Sequence, residues 1–178
     1  MSRLTLIDPA TATGAAKDVL EATKATFGAT PNMVRAMANS PVVAKVFLDA
    51  FKTLGGGVLN GQEREAIALA VAERNGCDYC LSAHTAIGKM HRMSDAQLTG
   101  ARHGQTGDGK LDALVTLARQ LVERRGHLSD ADLTTARAAG LTDAHVAEVV
   151  AHVAIAFYTN YFNHVAQPEI DFPVVRAG

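Results

Sequence analysis

The only two cysteines of this 178-residue chain stand in Cys77-Asp78-Tyr79-Cys80, with His84 four residues further on. Two thiols three positions apart can close and open a disulfide without moving the backbone. Such a bridge encloses almost no loop, so it does not serve to staple a small secreted fold. In a reducing compartment a pair of this kind is catalytic, metal-binding or inert. At about 100° per residue, Cys77, Cys80 and His84 fall within roughly a sixth of a helix circumference. Cys80 and His84 form an i, i+4 pair, which sets an imidazole beside that sulfur. A free thiol has a pKa near 8.5, and bringing it to about 7 takes roughly 2 kcal/mol of stabilisation of the thiolate. A helix start and a neighbouring imidazole are able to supply it.

A carboxylate on the preceding helix would complete a proton relay. Glu65 lies twelve positions before Cys77, and Gly76 between them lets the chain reverse, so Glu65 is the candidate to orient His84. Glu63 and Glu73 on the same helix compete for that role or form a solvated face. Helix geometry alone favours Cys77 as the reactive thiol, because the free N–H groups of a first turn face it. The spacing to His84 favours Cys80. Zinc is the alternative for the pair, with His91 as a fourth group on the same face. From Cys77 to His91, however, a straight helix spans roughly 20 Å at 1.5 Å per residue, too far for one tetrahedral ion with bonds of about 2.0–2.3 Å. No metal and no bound cofactor are expected.

The elements that must carry these residues read as helices. Aromatic residues are 5% of the chain, Trp is absent, alanine is abundant and no run of alternating β-branched residues occurs. Asp8 and Pro9 resemble the entry to a first helix ending at Phe27, and a short helix over Asn32 to Asn39 follows the turn at Gly28 to Pro31. Ser40 and Pro41 open a helix that stops at Gly55-Gly56-Gly57. Asn60 caps a helix running to Asn75 and Gly76, and Cys77 stands at the start of the next, which runs toward Met90. Ser94 opens a short helix, and Gly104 to Gly109 is a linker too short to separate domains. Leu111 to Arg125 is helical, Ser129 caps a helix toward Gly140, and Thr142 caps the last and longest, ending at Val165 or Ala166. Pro168 and Pro173 keep the tail extended. Leu59-Asn60 and Leu141-Thr142 each introduce a long apolar helix, a hint of two related halves. The expectation is one all-α domain over 1–178, with a redox core over about 58–92 and a tail over about 168–178.

Composition narrows the partners. Lys and Arg number 17 against 18 Asp and Glu, so no basic field exists to hold nucleic acid. No window approaches the ~20 apolar residues of a membrane span, and residues 1–14 have no signal-peptide run, so a cytoplasmic protein is expected. On the last helix, Tyr158, Tyr161, Phe162 and His164 read as core or as pocket lining beside the cysteines. His145 and His152 read as ordinary helix-face residues. Met33, Met37, Met90 and Met93 read as packing or an oligomer seam, and Glu123, Arg124 and Arg125 as a solvated face.

The stretch Asn60 to Leu69, then Asn75-Gly76-Cys77-Asp78-Tyr79-Cys80 and Ala83-His84, resembles the core of the alkylhydroperoxidase AhpD-like, carboxymuconolactone decarboxylase family. Its signature of Glu, eleven residues, Cys-x-x-Cys, three residues and His matches Glu65, Cys77, Cys80 and His84. Pro31 to Pro41, and Asn160 to Gln167 with Asp171 and Pro173, resemble the longer, peroxidase-related members. The best-known peroxidase members have His between the cysteines, where this chain has Tyr79. The resemblance implies an all-helical thiol peroxidase, assembled as a homo-oligomer (trimer, hexamer or dimer). In it Cys80 attacks a peroxide, Cys77 resolves the sulfenic acid, and Glu65 with His84 relays the proton. It also implies an external dithiol, lipoyl or thioredoxin-like reductant. A non-catalytic oligomeric redox sensor or binding module is the alternative; a lactone decarboxylase is less consistent, since that branch does not depend on a cysteine pair.

Overall fold

The computed structural model describes residues 2–178, and among these every regular element is a helix: α1 (Gly14–Phe27), α2 (Asn32–Met37), α3 (Pro41–Leu54), α4 (Gly61–Asn75), α5 (Asp78–Met90), α6 (Asp95–His103), α7 (Gly109–Glu123), α8 (Asp130–Ala138) and α9 (Asp143–Ala166). The all-α reading of the sequence holds. Helix α4 is the hub, because its sequence is apolar on nearly every side: Ala66, Ile67, Leu69, Ala70, Val71 and Ala72 are all fully buried. A helix apolar all round must be covered all round. Here α5, α6, α7 and α9 cover it, and the alanines let their backbones approach closely. Leu81, Leu114, Val115, Leu117 and Val149 fill the space between them. No single helix among the described residues is long and apolar enough to cross a membrane.

The capping residues explain most of the helix starts. Asn60 accepts from the Glu63 N–H while the Glu63 carboxylate accepts from the Asn60 N–H, a reciprocal box that ties up two of the helix's free donors. Ser94 with Gln97, Ser129 with Asp132, and Thr142 with His145 repeat the device. Ser40 stands at the N-cap of α3, but its side chain makes no capping bond, and Pro41 at the first helical position supplies the start.

The first helix differs from the sequence reading. It begins at Gly14, because Asp8 closes a separate turn through its carboxylate and carbonyl, bonding Ala10 and Ala12, and Gly14 takes a left-handed φ of +54°. An Asp-Pro pair opens turns as well as helices, and here the turn won.

The reversal that matters most lies between α4 and α5. Gly76 takes φ +65°, ψ 35°, with the Gly76 and Cys77 N–H groups bonded back to Glu73 and Ala72. A side chain there would meet nothing within 4 Å, so backbone conformation rather than space calls for glycine. The result is a tight helical hairpin that lays α5 along α4.

Residues beyond α9 form a strap that returns over α5. Val175 N–H donates to Ser82 Oγ at 2.9 Å, Ala177 N–H to Asp78 Oδ1 at 2.9 Å, and Gly178 N–H to Glu73 at 2.9 Å, while Arg176 pairs with Asp78 at 2.6 Å. Arg102 holds the same end of the tail through the Arg176 carbonyl.

Candidate active site

Cys77 is the N-cap of α5 and Cys80 lies in its first turn, so both sulfurs sit at the bottom of the hairpin, 1% and 3% exposed. They are joined as a disulfide, with Cα atoms 5.3 Å apart. The Cys80 N–H points at Cys77 Sγ at 3.3 Å, so the N-cap sulfur takes the helix's free donor in place of an Asn or Ser oxygen. That contact belongs to the thiol that helix geometry favours.

One turn beyond Cys80, His84 Nδ1 lies 2.7 Å from Glu65 Oε2. The Glu65 side chain is 7% exposed and that of His84 26%, so the carboxylate is shielded on α4 while the ring reaches partway to solvent. The bond holds the imidazole by one nitrogen and leaves Nε2 free to exchange a proton. The structure therefore joins Glu65 to His84 across the α4–α5 hairpin and Cys77 to Cys80 at its turn, with His84 one helical turn along α5 from Cys80.

The competing carboxylates are engaged elsewhere. Glu63 closes the cap of α4 and pairs with Lys110 at 2.8 Å. Glu73 is bound by Arg102 at 2.7 Å and by the Gly178 N–H. Burial pushes Glu73 upward, but the Arg102 guanidinium and the tail N–H outweigh it and hold its carboxyl below the usual range. His91 caps the far end of α5; its ring lies over Gly61, where a Cβ would come within 2.4 Å of Nδ1. It is joined to the start of α4, not to the cysteines.

Tyr79, between the cysteines, faces the opposite way from the relay. Its hydroxyl donates to Asp171 at 2.7 Å and accepts from the Met33 N–H at 3.0 Å. Asp171 in turn accepts from the Asn32 N–H at 2.8 Å. Burial, with the Asp171 charge beside it, pushes the phenol far above its ordinary value, so it stays a neutral donor. Phe172 meets the ring edge to face at 5.8 Å. Tyr79 is thus an anchor for the tail and for the start of α2.

Helix α9 crosses the hairpin with the buried stripe Val149, Val153, Ala156, Asn160, Asn163. Asn160 accepts from the Asn75 amide at 2.9 Å, and the Asn163 amide nitrogen lies 3.2 Å from Cys80 Sγ. Asn163 has no role in the sequence reading; its signal is a pair of asparagines, Asn160 and Asn163, continuing an apolar stripe. Of the aromatic residues of α9, Tyr158 donates to the Val43 carbonyl of α3, the exposed Tyr161 stacks on His164, and Phe162 packs against the core.

His152, read as an ordinary helix-face residue, is instead half-buried with Nε2 enclosed and unpartnered among the described residues. Burial, then the Arg64 charge, lowers its pKa; Glu148 and Glu65 oppose this in part. His145 serves as the third residue of the α9 capping box. Met33, Met37 and Met93 are core, whereas Met90 is exposed.

An open groove of about 490 Å³ between α7 and α9, lined by Leu121, Val122, Val150 and Phe157, includes none of the four predicted residues.

Residues 41–106 match the carboxymuconolactone decarboxylase family. No curated protein sequence matches the chain. Among solved structures, a peroxidase-related protein with the alkylhydroperoxidase AhpD core from Ralstonia eutropha JMP134 is 20% identical, with a TM-score of 0.84 over 96% of this chain and 92% of that one. A peroxidase-related protein from Silicibacter sp. TM1040 is 21% identical, with a TM-score of 0.74 over 97% and 90%. The debrominase Bmp8, solved as a cysteine-to-alanine variant with 2,3,4-tribromopyrrole, is 21% identical, with a TM-score of 0.77 over 96% and 94%. These likenesses establish the fold.

Proposed function

The chain carries a carboxymuconolactone decarboxylase family domain within an AhpD-like fold, and from that premise we propose that it is a thiol-dependent hydroperoxide reductase. The observation that carries the reading is the 2.7 Å bond between His84 and Glu65, one helical turn from the Cys77–Cys80 disulfide. His84, oriented by Glu65, takes the proton of the Cys80 thiol. The thiolate attacks the terminal oxygen of R–O–O–H; the S–O bond forms, the O–O bond breaks, and His84 returns the proton to the departing alkoxide. Cys77 then attacks the sulfenic acid, the disulfide closes and water leaves. An external dithiol, lipoyl or thioredoxin-like, restores both thiols by exchange. Each cycle converts one hydroperoxide to alcohol and water at the expense of one dithiol.

Cys80→Ser is expected to abolish turnover, and Cys77→Ser to leave a thiol that is oxidised once and not recycled, read by peroxide consumption and intact-protein mass. Equal residual turnover in the two variants would overturn the roles. The likeness to a debrominase supports a second substrate class for the same two-electron dithiol: release of bromide from a bromopyrrole, with carbon taking up a proton, while the disulfide forms. Bromide release without peroxide consumption would favour that reading.

Homo-oligomeric assembly belongs to the same proposal. Val42 and Val46, one turn apart on α3, are 69% and 57% exposed, a stripe suited to a second copy. A solution mass at 18.7 kDa, that of one chain, would overturn it.

A further inference from the structure

Asn163 is 4% exposed, and its carboxamide is enclosed by two sulfurs: Nδ2 lies 3.2 Å from Cys80 Sγ and 3.3 Å from Met33 Sδ. Its Oδ1 is equally enclosed and has no partner among the described residues. The orientation of the amide follows from chemistry. A disulfide sulfur and a thioether sulfur carry no hydrogen, so only the N–H end is attracted to them. Turning the amide over would set a carbonyl oxygen against sulfur lone pairs and leave the N–H groups unmet.

That orientation has a different weight in each redox state. Against the disulfide, the N–H···S contact is a weak bond between neutral groups. Against a Cys80 thiolate it becomes a charge-assisted bond, so the same contact favours the ionised thiol over the protonated one. The unfilled Oδ1 belongs to the same rigid plane as the nitrogen that meets Cys80 Sγ. What it lacks is a donor, and a hydroperoxide brings one. The oxygen that the thiolate attacks is the one bearing hydrogen, and after the O–O bond breaks that oxygen stays on sulfur as a sulfenic acid. Buried acceptors are rarely left empty, and a place beside reacting groups is one reason for an exception.

We propose that Asn163 is a catalytic residue, whose Nδ2–H holds the Cys80 thiolate and whose Oδ1 receives the O–H of the hydroperoxide oxygen under attack. This rests on the reading of Cys80 as the attacking thiol. It assigns the substrate a chemical class, R–O–O–H, with a hydrogen on the reacting oxygen. It also gives Cys80 a stabilising donor that the N-cap position of Cys77 would otherwise monopolise.

The test uses the full chain with Cys77→Ser, so that one thiol reports. The pH profile of Cys80 alkylation by iodoacetamide is measured with Asn163 intact, with Asn163→Leu, which keeps the volume, and with Asn163→Asp, which keeps the shape and the acceptor but replaces the donor. Both variants are expected to move the midpoint upward by about one pH unit, a roughly tenfold loss of thiolate below the midpoint. Superimposed profiles in folded variants would overturn the thiolate assignment. If Asn163→Leu does not fold, the isosteric Asn163→Asp decides alone. The acceptor is read separately, from the rate of a single oxidation by hydrogen peroxide at a pH above the midpoints of all three proteins. There Asn163→Leu is expected to be about tenfold slower than the parent. An unchanged rate would overturn the role of Oδ1. Alkylation needs no peroxide, so a parent that alkylates normally but ignores peroxide defeats the hydroperoxide reductase reading and leaves the thiolate assignment standing on its own measurement.

Discussion

Within the redox site, each cysteine has a different polar neighbour. Cys77 receives a backbone donor at the N-cap, and Cys80 receives a side-chain amide from α9 with His84 one turn away. Helix geometry and residue spacing therefore each describe something real, and they pertain to different sulfurs. Glu65→Gln tests what the carboxylate adds. The amide keeps an acceptor for His84 but removes the charge, so the rate of Cys80 oxidation by peroxide is expected to fall by about 10²-fold in rapid-mixing kinetics. A rate within twofold of wild type would remove Glu65 from the relay. The residues alone left Glu65, Glu63 and Glu73 in competition, and only the resemblance to the family signature singled out Glu65; the physical reason was not visible. It lies in the long-range partners Lys110 and Arg102, which occupy the other two. Asn163 was harder still: its sulfur contacts lie 83 and 130 residues away in sequence, and an asparagine in a helix reads as solvated.

At the scale of elements, the α4–α5 hairpin was readable because its punctuation is local. Asn60 begins it, Gly76 turns it, and the apolar stretch between them has the length of a buried helix. The start of α1 was not, since Asp8 and Pro9 serve a turn as readily as a helix. The tail was read as merely extended, and its docking was hidden because backbone donors such as Val175 and Ala177 leave no trace in residue type. Tyr79 is the exception, a side chain that ties three segments together. Tyr79→Phe leaves the Met33 N–H and Asp171 without their shared hydroxyl. The expected cost is about 1–3 kcal/mol, a fall in melting temperature of roughly 2–12 °C, with faster proteolysis within residues 167–178. An unchanged melting temperature and cleavage pattern would mean that the strap holds without it.

For the molecule as a whole, pH acts through His152. Burial and Arg64 lower its pKa below the ordinary 6.5, so the folded state holds it neutral where the unfolded state takes up a proton. Unfolded chains then bind more protons than folded ones, and stability falls as pH drops below about 6.5 and levels off once the folded form protonates as well. His152→Gln cannot titrate, and urea unfolding between pH 7.5 and 5 (roughly the span over which a histidine changes charge) is expected to be flatter than in wild type. Equal slopes would place the acid sensitivity elsewhere.

The two sulfurs lie almost wholly beneath the surface, under a helix end that the tail ties down. Small thiols in the surroundings can reach them only during brief local openings, so the oxidised protein does not equilibrate freely with the thiol pool around it. For the proposed dithiol cycle, that burial means kinetic rather than equilibrium control. Whichever partner can loosen the first turn of α5 decides when the electrons arrive, and the chain is insulated from every donor that cannot.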